Sequence, residues 1–193
     1  MEIFILLGLI LINGLFVMTE IALVSARKAR LENMAAKGDE LARRALELSN
    51  KPEVFLSAAQ IGITLIAILT GVYSGERFSV YLVPFFKKIT FLSDYAEGIS
   101  LTIVVIIVTF LSILFGELIP KRFGLLRAER ISKLVAGPVL VFAKITHPFV
   151  WVLNKISNGF FFIFNIKKST DDAVTEEEIK TMITEGSEAG TID

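Results

Sequence analysis

Cysteine is absent from this chain and histidine occurs once, at position 147. Without thiols there is neither a disulfide framework nor a thiolate metal site, so a metal held here must be a hard one bound through oxygen. His147 stands beside Pro148 with no second histidine to join it and reads as structural. No nucleophile with a nearby base, no histidine pair and no glycine-rich phosphate loop is present, which argues against an enzyme. Nothing in the basic residues suggests a nucleic-acid site. Lys and Arg are also missing before the first apolar run, which starts at Ile3 and ends in Arg27-Lys28-Ala29-Arg30. A secretory signal peptide has the opposite order, a basic start and a small-residue cleavage site, so the first run reads as a permanent span.

What the chain has in quantity is apolar surface: 53% hydrophobic residues and sixteen Phe, with a mean hydropathy of +0.66. Runs 3–24, 54–74 and 99–116 are each close to the roughly 20 residues a spanning helix needs, and the last two hold no charge. The predicted class is an all-α membrane protein with three transmembrane helices and additional juxtamembrane or re-entrant amphipathic helices. Arg27, Lys28 and Arg30 after the first span place the N-terminus outside by the positive-inside rule, and the basic exit after the third, Lys121-Arg122 onward, agrees. The chain is thus expected to be multi-pass, in the cell membrane, with a cytoplasmic C-terminus.

Between spans, residues 31–49 read as a cytoplasmic amphipathic connector in which Asp39 caps a helix from Glu40 to Leu48, ended by Asn50 with Pro52 beyond. Residues 134–166 are apolar but interrupted by Lys144, His147-Pro148 and Lys155, and basic on both flanks. A single crossing would leave one basic flank outside, which favours helices that lie along the interface or dip in and return over a fourth span. The zero net charge conceals a division: 169–193 holds eight acidic residues against Lys180 alone, leaving +7 on residues 1–168. The division separates a membrane domain, 1–168, from an acidic linker, 169–193. In that linker Thr175-Glu176-Glu177-Glu178 resembles a capping box opening a short helix.

The chemistry concentrates at Gly116-Glu117-Leu118-Ile119-Pro120-Lys121. Proline has no N–H, so a helix continuing through Pro120 leaves the Gly116 carbonyl without its usual donor. That oxygen, beside the Glu117 carboxylate at membrane depth, is a candidate cation ligand. The alternative is a Pro-terminated helix whose Glu117 pairs with Lys121 at the water boundary. Both readings stand on the local sequence. Each span also carries a small or polar stripe: Asn13, Val17 and Glu20 on the first; Ser57, Gln60, Thr64, Ala67, Gly71 and Ser74 on the second; Thr102, Thr109, Ser112 and Gly116 on the third. Small residues alone serve close helix packing, as in Gly71-x-x-x-Gly75. Two acidic residues do not fit that explanation, since each costs on the order of 3 kcal/mol at the middle of a span.

Three blocks, Asn13-Gly14-Leu15-Phe16-Val17-Met18-Thr19-Glu20 continuing to Lys28, Gln60-Ile61-Gly62-Ile63-Thr64-Leu65, and Gly116 to Lys121, resemble the DUF21 transmembrane domain of the CorC/HlyC and CNNM (cyclin M) family. The resemblance implies a homodimer in the lipid bilayer that exports Mg²⁺ or related divalent cations, in exchange for Na⁺. It further implies that the acidic segment leads to a cytoplasmic pair of CBS domains, nucleotide-binding in relatives, with no organic cofactor in the present segment. Gly116 and Glu117 match the family's ion site, Glu20, Thr64, Gln60 and Asn13 are available to complete a hydrated one, and Pro120 with Gly116 is the expected point of bending. Val17, Ile63, Thr64 and Ala67 depart from the Ser and Asn residues found at those positions in Mg²⁺-transporting members. The departure leaves a polyamine exporter of the same superfamily, and a non-transporting membrane scaffold or sensor, as alternatives.

Overall fold

Residues 1–89, 91–164, 180 and 184 are described by a computed structural model, apart from the side chains of Glu76 and Phe162. Among them there is no strand. The helices are α1 (Glu2–Ser25), α2 (Lys28–Ala36), α3 (Glu40–Ser49), α4 (Pro52–Lys87), α5 (Ala96–Ile113), α6 (Ile119–Leu126) and α7 (Ala128–Ile163), with a 3₁₀ turn at Ser93–Tyr95 and a π turn at Leu114–Leu118. The all-helical class expected of the sequence is therefore present. The acidic segment 169–193, with its expected capping box, lies outside the described residues but for Lys180 and Thr184.

Local chemistry sets the boundaries. Gly38, at φ +89°, turns the chain between α2 and α3 in the left-handed region that glycine enters without a Cβ penalty. Asp39 Oδ1 then accepts from Leu41 N at 3.1 Å and Ala42 N at 3.0 Å, satisfying two of the donors that open α3. Pro52 sits in the first turn of α4, where its missing N–H costs nothing. α4 runs well past the apolar run 54–74, because Arg77 and Tyr81 mark a change of environment and do not break a helix. Their side chains reach back to α1: Arg77 Nη1 lies 3.4 Å from Glu2 Oε1, and the Tyr81 hydroxyl donates to Glu2 Oε2 at 3.1 Å.

The chain divides into a unit of residues 1–150 and a second from Trp151. The first has two apolar cores. One, near the C-terminal end of α1, buries Leu23, Ala26, Leu31, Ala45, Leu48, Phe55 and Ala136, joining α1 to α2, α3 and the starts of α4 and α7. Ion pairs clip its rim, Lys133–Asp39 at 2.7 Å and Arg30–Glu129 at 3.4 Å. The other packs Leu6 and Ile10 of α1 on Val104 and Val108 of α5, with Phe78 and Leu82 of α4 against them. In the second unit the Lys155 ammonium lies 4.7 Å from the Trp151 ring centre.

Among the described residues four stretches, where three were expected, are long and apolar enough to cross a bilayer: Glu2–Ser25, Pro52–Lys87, Ser93–Leu126 and Ala128–Phe161. The added one is the segment expected to hold interfacial or re-entrant helices. It is a single helix through Pro138 and Pro148, with no reversal within it. Proline removes one hydrogen bond and bends a helix, but neighbouring turns hold it together, so interruptions in the sequence need not be interruptions in the element.

Candidate cation cavity

The site begins at Gly14, where α1 lies directly on the π turn. A Cβ there would stand 2.9 Å from the Phe115 carbonyl oxygen and 2.8 Å from Pro120 Cγ. One turn further, a Cβ on Gly124 would stand 2.8 Å from the Met18 carbonyl oxygen. These two missing side chains set the spacing between α1 and the Leu114–Leu126 stretch.

The π turn is itself a response to Pro120. The Ile119 N–H reaches back five residues to the Leu114 carbonyl, the wider repeat of a π bulge. Pro120 has no donor for Gly116, and Asn13 supplies one from outside the helix, its Nδ2 donating to the Gly116 oxygen at 3.2 Å. The oxygen expected to be free is thus held by α1. Asn13 Oδ1 is buried and has no hydrogen-bond partner among the described residues. An unpaired buried acceptor costs about 1–3 kcal/mol, so its retention here asks for a ligand.

A cavity of about 330 Å³ lies between α1, α4, α5 and the π turn, and Asn13 is among the residues that line it. Its polar lining is Asn13, Thr70, Ser74, Thr109, Ser112 and Glu117, while α4 also presents Ile63 and Ala67. Two of the hydroxyls spend their protons on their own helix, Thr70 Oγ1 on the Ile66 carbonyl at 2.7 Å and Ser74 Oγ on that of Gly71 at 3.3 Å. What remains on those oxygens is acceptor capacity, the half that a cation uses. Glu117 is the only ionisable residue of the lining. Lys121 Nζ lies 3.1 Å from its Oε1, the two side chains being 42% and 49% exposed, so Glu117 both lines the cavity and forms the boundary ion pair.

Of the six ligand candidates the structure brings together Asn13, Gly116 and Glu117. Gln60 and Thr64 lie outside the cavity, exposed and bonded to each other, Nε2 to Oγ1, at 3.4 Å. Glu20 is half-buried near the end of α1 and does not line the cavity. On α4 the lining runs through Ile63, Ala67, Thr70, Gly71 and Ser74, which keeps the last three residues of the expected stripe and replaces Gln60 and Thr64 by Ile63 and Thr70. Thr70 was missed from the sequence, although its spacing to Ala67 and Ser74 is helical and would have found it. Among the described residues no group of three or more His, Cys, Asp or Glu is placed to hold a metal.

The family profile described as the cyclin M transmembrane N-terminal domain matches residues 4–193. Among similar proteins, the UPF0053 protein sll0260 of Synechocystis sp. is 42% identical across 100% of this chain and 43% of its own length. UPF0053 protein YhdT of Bacillus subtilis is 31% identical, covering 96% of this chain and 41% of its own. A protein of Haemophilus influenzae named polyamine export protein is 33% identical, with 96% and 43% covered. The chain therefore spans less than half the length of these relatives.

Proposed function

The chain belongs to the cyclin M transmembrane domain family, and from that premise we propose that it is the membrane part of a cation exporter whose cavity holds the substrate between Asn13, Gly116 and Glu117. The observation that carries this is a cavity lined by the Glu117 carboxylate and by Asn13, whose buried amide oxygen has no partner among the described residues. Ionisable groups at such depth mark ion paths, and broken or bulged helices expose backbone oxygens where a cavity, not lipid, receives them. Transport is by alternating access, the N-terminal end of α1 outside and the C-terminal end in the cytoplasm, in a homodimer of the cell membrane. The export is coupled to an ion such as Na⁺, and chain beyond this segment supplies cytoplasmic regulation. No enzymatic step is involved.

The lining favours an elongated organic cation of the polyamine class as substrate. Along α4 it extends from Ile63 to Ser74, about 16 Å at 1.5 Å per residue, with the carboxylate across from the Ile63 end and hydroxyls beyond. Ile63 and Ala67 offer methylene contacts and no oxygen. A linear polyamine alternates charge with methylene in the same way, and the name of the H. influenzae relative agrees. A second reading, hydrated Mg²⁺, draws on the cluster of Asn13 Oδ1, Gly116 O and Glu117, since Mg²⁺ keeps several waters and needs few protein oxygens. In the third reading, a scaffold without transport, these groups only hold helices together.

Vesicle efflux with the full-length protein separates them. Spermidine efflux that Glu117→Gln reduces about tenfold or more supports the leading reading, the magnitude being that of one charge-assisted contact. Mg²⁺ efflux alone, with the same sensitivity, supports the second. Flux of neither cation, with Glu117→Gln weakening only the dimer, overturns export.

A further inference from the structure

We propose that Lys121 is a tethered competitor for the transported cation: its ammonium occupies Glu117 when the cavity is empty, and each substrate must displace it. The inference rests on the cation-exporter reading above and assigns to that site its specificity-determining residue.

Three observations carry it. Among the described residues Glu117 is the only ionisable one lining the cavity, so the charge they give it is that of one carboxylate. Lys121 already neutralises it, Nζ to Oε1 at 3.1 Å. No other partner of the Glu117 carboxylate is found among the described residues. The ammonium approaches from one turn beyond, in the favourable order with the acid N-terminal to the base. Both side chains are about half exposed, so the pair is neither sealed nor fixed. Lysine's charge rides on a flexible four-carbon stem and is readily solvated when released.

The consequence is an exchange rather than a simple binding. Empty, the site is a neutral pair, which spares the membrane an uncompensated carboxylate. An arriving ammonium or divalent cation takes the carboxylate while Lys121 turns to water, and Lys121 returning helps expel it. Such a competitor weakens affinity and speeds release, which suits an exporter better than a storage site. It also selects: a cation must outbid a primary ammonium that is always present at high local concentration, which disfavours weakly held monovalent ions.

The test compares wild type, Lys121→Gln, Lys121→Met and Lys121→Arg in the full-length protein, all at one pH. Binding of spermidine and of MgCl₂ is titrated by calorimetry, and initial efflux rates are measured against spermidine concentration. Both neutral variants are expected to bind about fivefold more tightly, the size of one partly exposed charge contact, with KM lowered and kcat not raised. Lys121→Arg restores wild-type values. Unchanged or weaker binding in both neutral variants overturns the proposal, because a lysine that merely orients Glu117 gives that result. Failure of the underlying reading looks different: wild type and Glu117→Gln then bind both cations equally or not at all, and the proposal falls with it.

Discussion

Asn13 has divided duties: Nδ2 satisfies the Gly116 carbonyl across the helix interface, and Oδ1 is left buried and without a partner among the described residues. Asn13→Leu removes the donor and leaves the Gly116 oxygen orphaned, so thermal unfolding in detergent should show a loss of about 1–3 kcal/mol. Asn13→Asp supplies an oxygen but no donor and should not restore stability at neutral pH. Glycine shows the same dependence on place. Gly14→Val must push α1 off the Phe115 carbonyl and Pro120, a loss of about 1–3 kcal/mol, whereas Gly8→Ala, with nothing within 4 Å of its Cβ, should gain up to about 1 kcal/mol from helix propensity. Melting temperatures of the two, which must move in opposite directions, check this. At this scale the sequence was legible where the cause is local. Proline's missing N–H identified the Gly116 carbonyl without any knowledge of the fold. That Asn13 would take that carbonyl, or that Gln60 and Thr64 would turn to each other, depends on how helices are rotated, and rotation is set by partners far along the chain.

Among the elements, α3 was readable from its cap and its terminator, since Asp39, Asn50 and Pro52 act within a few residues of the ends they define. The far end of α4 and the continuity of α7 were not. Charges and prolines mark boundaries in the sequence, yet α4 continues to Lys87 and α7 passes Pro138 and Pro148. Hydropathy reports where the lipid ends, not where the helix does. The connector α3 is also tied to α7 by Asp39. The hydrogen bond from Lys133, and after it that from the Ala42 N–H, hold its carboxyl below the ordinary value of 3.8. A lowered folded value means that the stabilisation is complete above 3.8 and is lost as pH falls through the folded value. Acid unfolding monitored by circular dichroism should therefore begin at higher pH in Lys133→Gln than in wild type. Identical acid limbs would show that this clip does not hold the connector.

For the molecule as a transporter, what matters in residues 1–150 is that the cavity is bounded differently at its two ends. Toward the N-terminal end of α1 stand the core of Leu6, Ile10, Val104 and Val108 and the bonds of Glu2 to Arg77 and Tyr81. Toward the other end stands the half-exposed pair of Glu117 and Lys121, with the core of Leu23, Leu31, Leu48 and Phe55 beyond it. This asymmetry suits a state open to one side, and the alternating access proposed above would require the apolar core to part while the ionic end closes. Arg77→Gln, which loosens the apolar-core end without touching the cavity, should shift the population toward the other state of the proposed cycle and raise the rate of limited proteolysis. Because the chain has no cysteine, the central claim can be read by a single added thiol. Ser112, which lines the cavity, is replaced by Cys in the full-length protein and the rate of modification by a cationic methanethiosulfonate reagent is measured with and without spermidine or MgCl₂. The account predicts modification that at least one of the two cations slows in a saturable way, with the protection abolished by Glu117→Gln. Absence of modification under all conditions, or modification that neither cation alters, would contradict it.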